Sequence, residues 1–525
     1  MPDAVVIGAG PNGLVAANLL ADAGWDVVVL EAQPEPGGAV RTGELTLPGY
    51  RHDLFSAFYP LAVASPHMQS LRLEEHGLRW LRAPLVLAHP QPDGACAAMS
   101  TDLDESAALL GEDGDAWRAM YREWGRLGAD VVRTLFTPFP PVRAAARLAV
   151  RLSPSDLLRF GRRGLLPARR FGEERFRTEG PSLLLAGCAL HTDLTPEAAG
   201  GGLFGWLLAC VGQQHGFPVP EGGAGSLTDA LVRRLHARGG RVVCGQPVTG
   251  VEVRGGRAVA VRVEGGEVID AGRAVLADVS APSLYLSLLP RDALPASLLA
   301  DMAAFQWDAA TVKVDWALSG PIPWSAEPAR RAGTVHVADD LDNFTEHAAH
   351  LAMRQLPARP FLIVGQQSMT DPTRQPAGAE TAWAYTHVPR EVRGDAAGED
   401  AGEGAGEGIA WDRFVARMEA RIEALAPGFG ERILGRHVFT PASFEAADAN
   451  LSQGALNGGT AQLHQQLVFR PVPGLGRAET PVKRLYLASA SAHPGGGVHG
   501  GPGANAARAA LLHHRLSAPT RFWRT

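Results

Sequence analysis

At 525 residues the chain is longer than one compact core supports, so two domains are expected. With 46% apolar and 20% charged residues and a formal net charge of -6, its balance is that of an ordinary globular protein and offers no basic surface for nucleic acid. Cys96, Cys188, Cys210 and Cys244 are far apart and form no C-x-x-C pair, which argues against zinc, any other metal site and a redox-active disulfide, and fits a reducing cytoplasm.

The N-terminal stretch carries the strongest signal. Ala4-Val5-Val6-Ile7 reads as a buried strand, Gly8-Ala9-Gly10-Pro11-Asn12-Gly13 as a glycine turn, and Leu14 to Ala23 as a helix. Val27-Val28-Val29-Leu30 is a second strand tipped by Glu31. This βαβ unit places a glycine wherever the dinucleotide fingerprint needs one. Gly8 permits the tight turn, Gly10 lets the backbone approach a pyrophosphate, and Gly13 lets helix and sheet pack closely. Pro11 suits the first helical turn, whose N–H groups and partial positive charge face the phosphates. Glu31 is placed to accept hydrogen bonds from a ribose. No leader peptide is expected, because residue 4 already belongs to a strand.

The next turn, Pro36-Gly37-Gly38-Ala39-Val40-Arg41, extends the fingerprint. It resembles the FAD-binding flavoproteins of the glutathione-reductase structural family, which implies cofactor contacts at Gly38 and Arg41. Gly49-Tyr50-Arg51-His52-Asp53 is polar and expected at the cofactor's edge. Helical periodicity is expected to dominate from about Ser65 to Gln214, with interruptions. Within it, 136–177 is proline-rich and then arginine-rich, with Arg143, Arg147 and Arg151 on one helix face and Leu148 and Val150 elsewhere. Two readings stand side by side: a solvated face on a cap domain, or an interfacial helix that touches anionic lipid and admits an apolar substrate. The apolar run Leu203 to Val211 is too short to span a bilayer.

Pro220 to Leu227 opens a further helix. It is not a second nucleotide site, since no strand precedes it and no acid-tipped strand follows at the right distance. Strands are expected at 241–244, 248–253, 258–263 and 274–277, and Val248, by resemblance, sits where such flavoproteins hold adenine through backbone groups. A single nucleotide fold leaves no dedicated NAD(P)H domain, so electrons are expected to pass to oxygen or a quinone. Thr311 to Leu318 alternates as a strand with Val312, Val314 and Trp316 on one face. Residues 389–410 are acidic, Gly/Ala-rich and without aromatics, and read as a disordered loop. Near the C-terminus a strand from Lys483 to Ser489 leads into a glycine turn containing His493, Gly497 and Val498, and then a helix through Asn505 and Arg508. Backbone N–H groups there are expected at the flavin's N1 and C2 carbonyl, with Ser489, Gly497 and Val498 as contacts.

With both ends read, the chain resembles the phytoene desaturase-like FAD oxidoreductases. Within them it is similar to the subgroup of pyridine nucleotide-disulphide oxidoreductase domain-containing protein 2. The resemblance is carried by Val5 to Asn18, Leu30 to Arg41, Gly49 to Pro60, Leu467 to Pro473 and Leu485 to Ala507. It implies a two-domain α/β fold, a Rossmann-type FAD domain plus a mixed α+β substrate domain, non-covalent FAD, and removal of hydrogen from a C–C or C–N bond. The expected FAD-domain parts are 1–70, 216–281 and 475–525, with the substrate domain in 71–215 and 282–474. Thr311-Val312-Lys313 followed by Pro321-Ile322-Pro323-Trp324 also looks like the amine-oxidase strand whose lysine holds a water at the flavin; the alternative is a solvated lysine on the strand's polar side. His52, Lys313 and His493 are the candidate proton acceptors or orienters. The leading expectation is a desaturase or dehydrogenase of a carotenoid- or lipid-like molecule, cytoplasmic or peripheral to a membrane. An oxidase of an amine or amino-acid-like metabolite is the second, and a non-catalytic lipid carrier resembling Rab GDP-dissociation inhibitors the third.

Overall fold

The computed structural model describes residues 1–398 and 411–517. One sheet is parallel and five-stranded, in the order Leu485–Leu487, Ala274–Ala277, Ala4–Ile7, Val27–Leu30, Arg241–Val243. Its strands come from the beginning, middle and end of the chain. The first two read as unbroken apolar runs because both sheet faces are covered. On one face, Ala4 and Val6 meet the helices Pro11–Asp22, Gly225–Ala237 and Gly501–Ser517. On the other, Val5 and Ile7 meet the antiparallel strands Val248–Arg254 and Arg257–Val263, which pair in a three-stranded sheet with Val268–Asp270.

The second large sheet has seven strands, in the order Ile433–Phe439, Ala310–Leu318, Glu380–Val388, Leu362–Gly365, Ala332–Val337, Leu85–Pro90, Cys96–Met99. The helix Trp411–Leu425 covers one face through Phe414, Val415, Met418 and Ile422. Helices Gly180–Ala189 and Gly201–His215 lie over the other, with Leu183 and Ala186 beside Ile363 and Trp383. The register puts Phe439, Lys313, Tyr385, Ile363 and His336 in one line across the sheet, and residues paired across strands share a face. This line is the floor of the site described below.

Two expectations change, and two gain detail. The helical stretch from 65 to 214 is interrupted by Leu85–Pro90 and Cys96–Met99; the first is buried along its whole length and so shows no 3.6-residue period. Ala310–Leu318 is buried on both faces, not one. In 389–410 the described part is ordered: Gly394–Asp395 pairs with Gln355–Leu356, and the Asp395 carboxylate receives two hydrogen bonds from Arg417 at 2.8 and 2.9 Å. Charge pairing there replaces the missing apolar burial. Residues 399–410 lie outside the described residues. In helix Val142–Arg151, Leu148 turns to the core with Ala144 while Val150 faces solvent. Among the described residues no helix is long and apolar enough to cross a membrane.

Candidate active site

A cavity of about 540 Å³ runs between the two sheets. At one end it is walled by the fingerprint turn, with Gly8, Gly10, Pro11 and Asn12. Gly8 has φ +92°, where a side chain is strained, and a Cβ on Gly13 would stand 2.2 Å from the Gly8 carbonyl oxygen. Helix and turn are in contact at a distance only glycine allows. Glu31, at the tip of its strand, accepts hydrogen bonds from Ala9 N at 2.7 Å and Gln33 N at 2.9 Å and lines the same end. Gly38 and Val248 are on the wall there, and Ser489, Gly497 and Val498 line it from the C-terminal turn. Chain ends nearly five hundred positions apart therefore share one cavity.

Ala9, Gly13, Arg41, His52 and His493 stand off that wall. The Ala9 and Gly13 N–H groups are used by Glu31 and by Asp278, whose Oδ2 accepts from Gly13 at 2.7 Å. Arg41 donates to the carbonyls of Gly38 at 3.0 Å and Ala447 at 2.8 Å, stapling the second glycine turn to 441–448. His52 is fully buried behind Lys313, its Nε2 2.8 Å from Thr46 Oγ1 and its Nδ1 3.6 Å from Asp315. Burial, and then the nearby Lys313 charge, push it down to about 3, so it stays neutral. His493 Nε2 is satisfied by the Thr137 carbonyl at 3.1 Å. Both histidines came from runs of polar or glycine-rich sequence, where no pattern says which way a ring points.

Lys313 is the expected candidate that does reach the cavity, and it is not solvated. Its Nζ donates to Asp315 Oδ1 and Oδ2, both at 2.5 Å, and to the Asp53 carbonyl at 2.9 Å. Those three acceptors use all three ammonium donors. Burial pushes the Asp315 carboxyl up to about 6, and Lys313 works against that shift. Asp53 in turn holds Arg374 at 2.6 Å, and Arg374 holds Asp371 at 3.0 Å. The Gly222–Gly225 turn is tied into this network, with Gly222 N on Asp371 and Ala224 N on Asp53, both at 2.7 Å.

Sequence reasoning missed Asp315 and Asp278. The first had a legible signal, a Lys-x-Asp on one side of an apolar strand. The second ends the strand Ala274–Ala277 and gains its place beside the fingerprint only through parallel pairing. Burial pushes the Asp278 carboxyl up to about 8, with the Gly13 N–H opposing, so a neutral acid stands beside the fingerprint turn.

The wall suits a flavin dinucleotide. Asn12 presents a buried amide whose oxygen position has no partner; turned, that amide is a phosphate donor. Thr311 and Thr334 bring unpartnered hydroxyls to the same cavity. Beyond Lys313 the wall becomes apolar and aromatic, with Phe58, Phe204, Leu208, Ile363, Trp383 and Tyr385. Among the described residues no cluster of His, Cys, Asp or Glu is arranged to hold a metal.

Comparison with known proteins agrees with this geometry. The chain is similar over 549 residues, at 28% identity, to the pyridine nucleotide-disulfide oxidoreductase domain-containing protein 2 of Rattus norvegicus, covering 96% of this chain and 92% of that protein. It is 24% identical over 534 residues to the phytoene desaturase of Fusarium fujikuroi, covering 94% and 86%. The fold is similar to that of a putrescine oxidase, with a TM-score of 0.61 at 16% identity and coverage of 98% and 99%. The model of the flavin containing amine oxidoreductase family matches residues 12–310. The chain belongs to that family, and it is an FAD-dependent oxidoreductase.

Proposed function

We propose that the protein dehydrogenates an apolar, carotenoid- or lipid-like substrate in the inner half of this cavity, with oxygen or a quinone as final acceptor. The observation that carries the reading is the wall beyond Lys313: aromatic and aliphatic, with no carboxylate among the described residues there to receive an ammonium group. The full-length similarity to a phytoene desaturase supports it. Non-covalent FAD, when bound, supplies the two-electron acceptor. The chain's own contribution is placement and dryness. Gly8, Gly10 and Asn12 would take the pyrophosphate, Glu31 the ribose, and Val248 the adenine. Gly38, Ser489, Gly497 and Val498 would lie along the rest of the dinucleotide. Lys313, paired with Asp315, contributes a neutralised ion pair to the wall; to hold a water it would first have to release one partner. Phe204, Leu208 and Trp383 exclude water from the reacting carbon.

The discontinuous division of the chain, and the kinship of its nucleotide domain with the glutathione-reductase structural family, belong to the same proposal. So does contact with a membrane surface. Val142, Val150, Leu158 and Leu165 are 66, 87, 76 and 63% exposed, and Arg143, Arg147 and Arg159 stand exposed between them. A patch of this composition suits an anionic interface from which an apolar substrate could enter. The second reading, an amine oxidase, is favoured by the lysine on the cavity wall. Anaerobic addition of carotenoids, fatty acids and amines to the flavin-loaded protein separates the two. Bleaching of the visible flavin band by an apolar compound and not by amines is expected; bleaching by amines alone, with peroxide formed in air, would establish the oxidase.

A further inference from the structure

His191 and His336 face each other at the apolar end of the cavity, Nε2 to Nε2 at 2.9 Å. His191 follows the helix Gly180–Ala189 and lines the cavity; His336 lies on the sheet floor behind it, fully buried. Neither is used in the chemistry above. Burial pushes His191 down to about 3 and holds His336 well below the usual histidine range, so both rings are neutral and one proton lies between the facing nitrogens. Which ring owns it is decided on the far side. His336 Nδ1 is sealed with no partner, and Gly187 packs so close that a Cβ there would stand 2.1 Å from that nitrogen. An N–H at this position would point at the glycine's C–H groups with nothing to accept it, whereas a bare nitrogen fits. His336 therefore carries its proton on Nε2 and donates to His191 Nε2. His191 in turn carries its proton on Nδ1, which has no hydrogen-bond partner among the described residues.

From this we infer that His191 presents a fixed N–H donor to the substrate, and that the substrate carries a neutral oxygen acceptor, a carbonyl or hydroxyl, at one end of an otherwise apolar skeleton. The surroundings fit that class. Trp383 Nε1 and Thr334 Oγ1 are buried, unpartnered and on the same wall, so donors are in surplus. An ionised carboxylate is disfavoured, because the Lys313 charge in this wall is already neutralised by Asp315. The inference rests on the apolar-substrate reading and adds the polar end to it.

The test titrates flavin-loaded protein with an isoprenoid ketone, geranylacetone, and with the hydrocarbon of the same skeleton, reading binding from the shift of the flavin absorption spectrum. The ketone is expected to bind about tenfold more tightly, the gain of one or two well-made hydrogen bonds. In His191→Phe the preference should vanish while hydrocarbon affinity is kept. In His336→Leu, which leaves His191 unanchored, it should fall at least threefold. Equal binding of the two ligands by the unaltered protein, a preference that survives His191→Phe, or an unchanged preference in His336→Leu overturns the inference. Failure of both ligands to shift the spectrum overturns the apolar-substrate reading with it. Should His191→Phe lose its flavin, His336→Leu decides alone.

Discussion

Lys313 and Asp315 lie two apart on one strand, so they share a face, and on this face both are buried. Removing one charge strands the other. Lys313→Met is expected to destabilise the protein by about 3–5 kcal/mol, and adding Asp315→Asn should recover most of that loss, since the pair's cost lies in an uncompensated charge. Denaturant midpoints of the two single variants and the double variant measure it; additive losses would refute it. A second buried acid, Glu380, has no comparable partner: burial pushes it up to about 8 from a usual 4.5, against weak opposition from the Ile322 backbone and Arg432. Its folded-state affinity for a proton is raised, so its contribution to stability is complete below about pH 4.5 and is lost as pH rises through 8. Thermal midpoints of the unaltered protein and Glu380→Gln should coincide in acid and diverge in favour of the variant as pH climbs. A constant gap across that window would contradict the assignment.

At the scale of elements, the first and last helices pack the two ends of the chain together beside the cavity. Gly503 of Gly501–Ser517 meets Asn12 so closely that a Cβ would stand 1.9 Å from the Asn12 carbonyl oxygen. Gly503→Ala must therefore force the helices apart, and the movement bears on the fingerprint turn at one end and on the turn carrying Gly497 at the other. Loss of flavin during gel filtration is expected, together with a destabilisation of about 1–3 kcal/mol from overpacking. Retention of flavin at the unaltered level would show that the helices yield elsewhere. The helices Val142–Arg151 and Pro154–Arg163 offer a contrasting case. Each buries little of itself, as the proposed contact with an anionic surface requires. Val150→Glu with Leu158→Glu should abolish sedimentation with vesicles containing anionic lipid while leaving the melting temperature unchanged; vesicle binding that persists would assign those side chains to plain solvent exposure.

For the whole molecule, a ligand that binds only the folded chain stabilises it in proportion to the logarithm of its concentration. FAD at one hundred times its dissociation constant should add about 2.7 kcal/mol, visible as a melting temperature that climbs with added FAD. The same scale shows what could be read in advance. The fingerprint, its acid tip and the C-terminal strand–turn–helix were legible because each is a local pattern: a run of consecutive residues whose backbone must turn, approach or continue in one way. Glu31 needed only its place at the end of a short apolar strand. By contrast, the burial of His52 and His493, the engagement of Arg41 with two carbonyls, and the ordering of Gly394–Asp395 depend on groups hundreds of positions away or on pairings with no local signal. The strand Leu85–Pro90 was missed because burial on both faces erases the alternation that marks a strand. What the sequence by itself determined is therefore the glycine-turn half of the cavity, where backbone shape follows from local conformation. What only the tertiary structure decided is the polarity and protonation of the aromatic half, where Lys313, Asp315, His191 and His336 meet across strands and helices and long-range burial sets their charge.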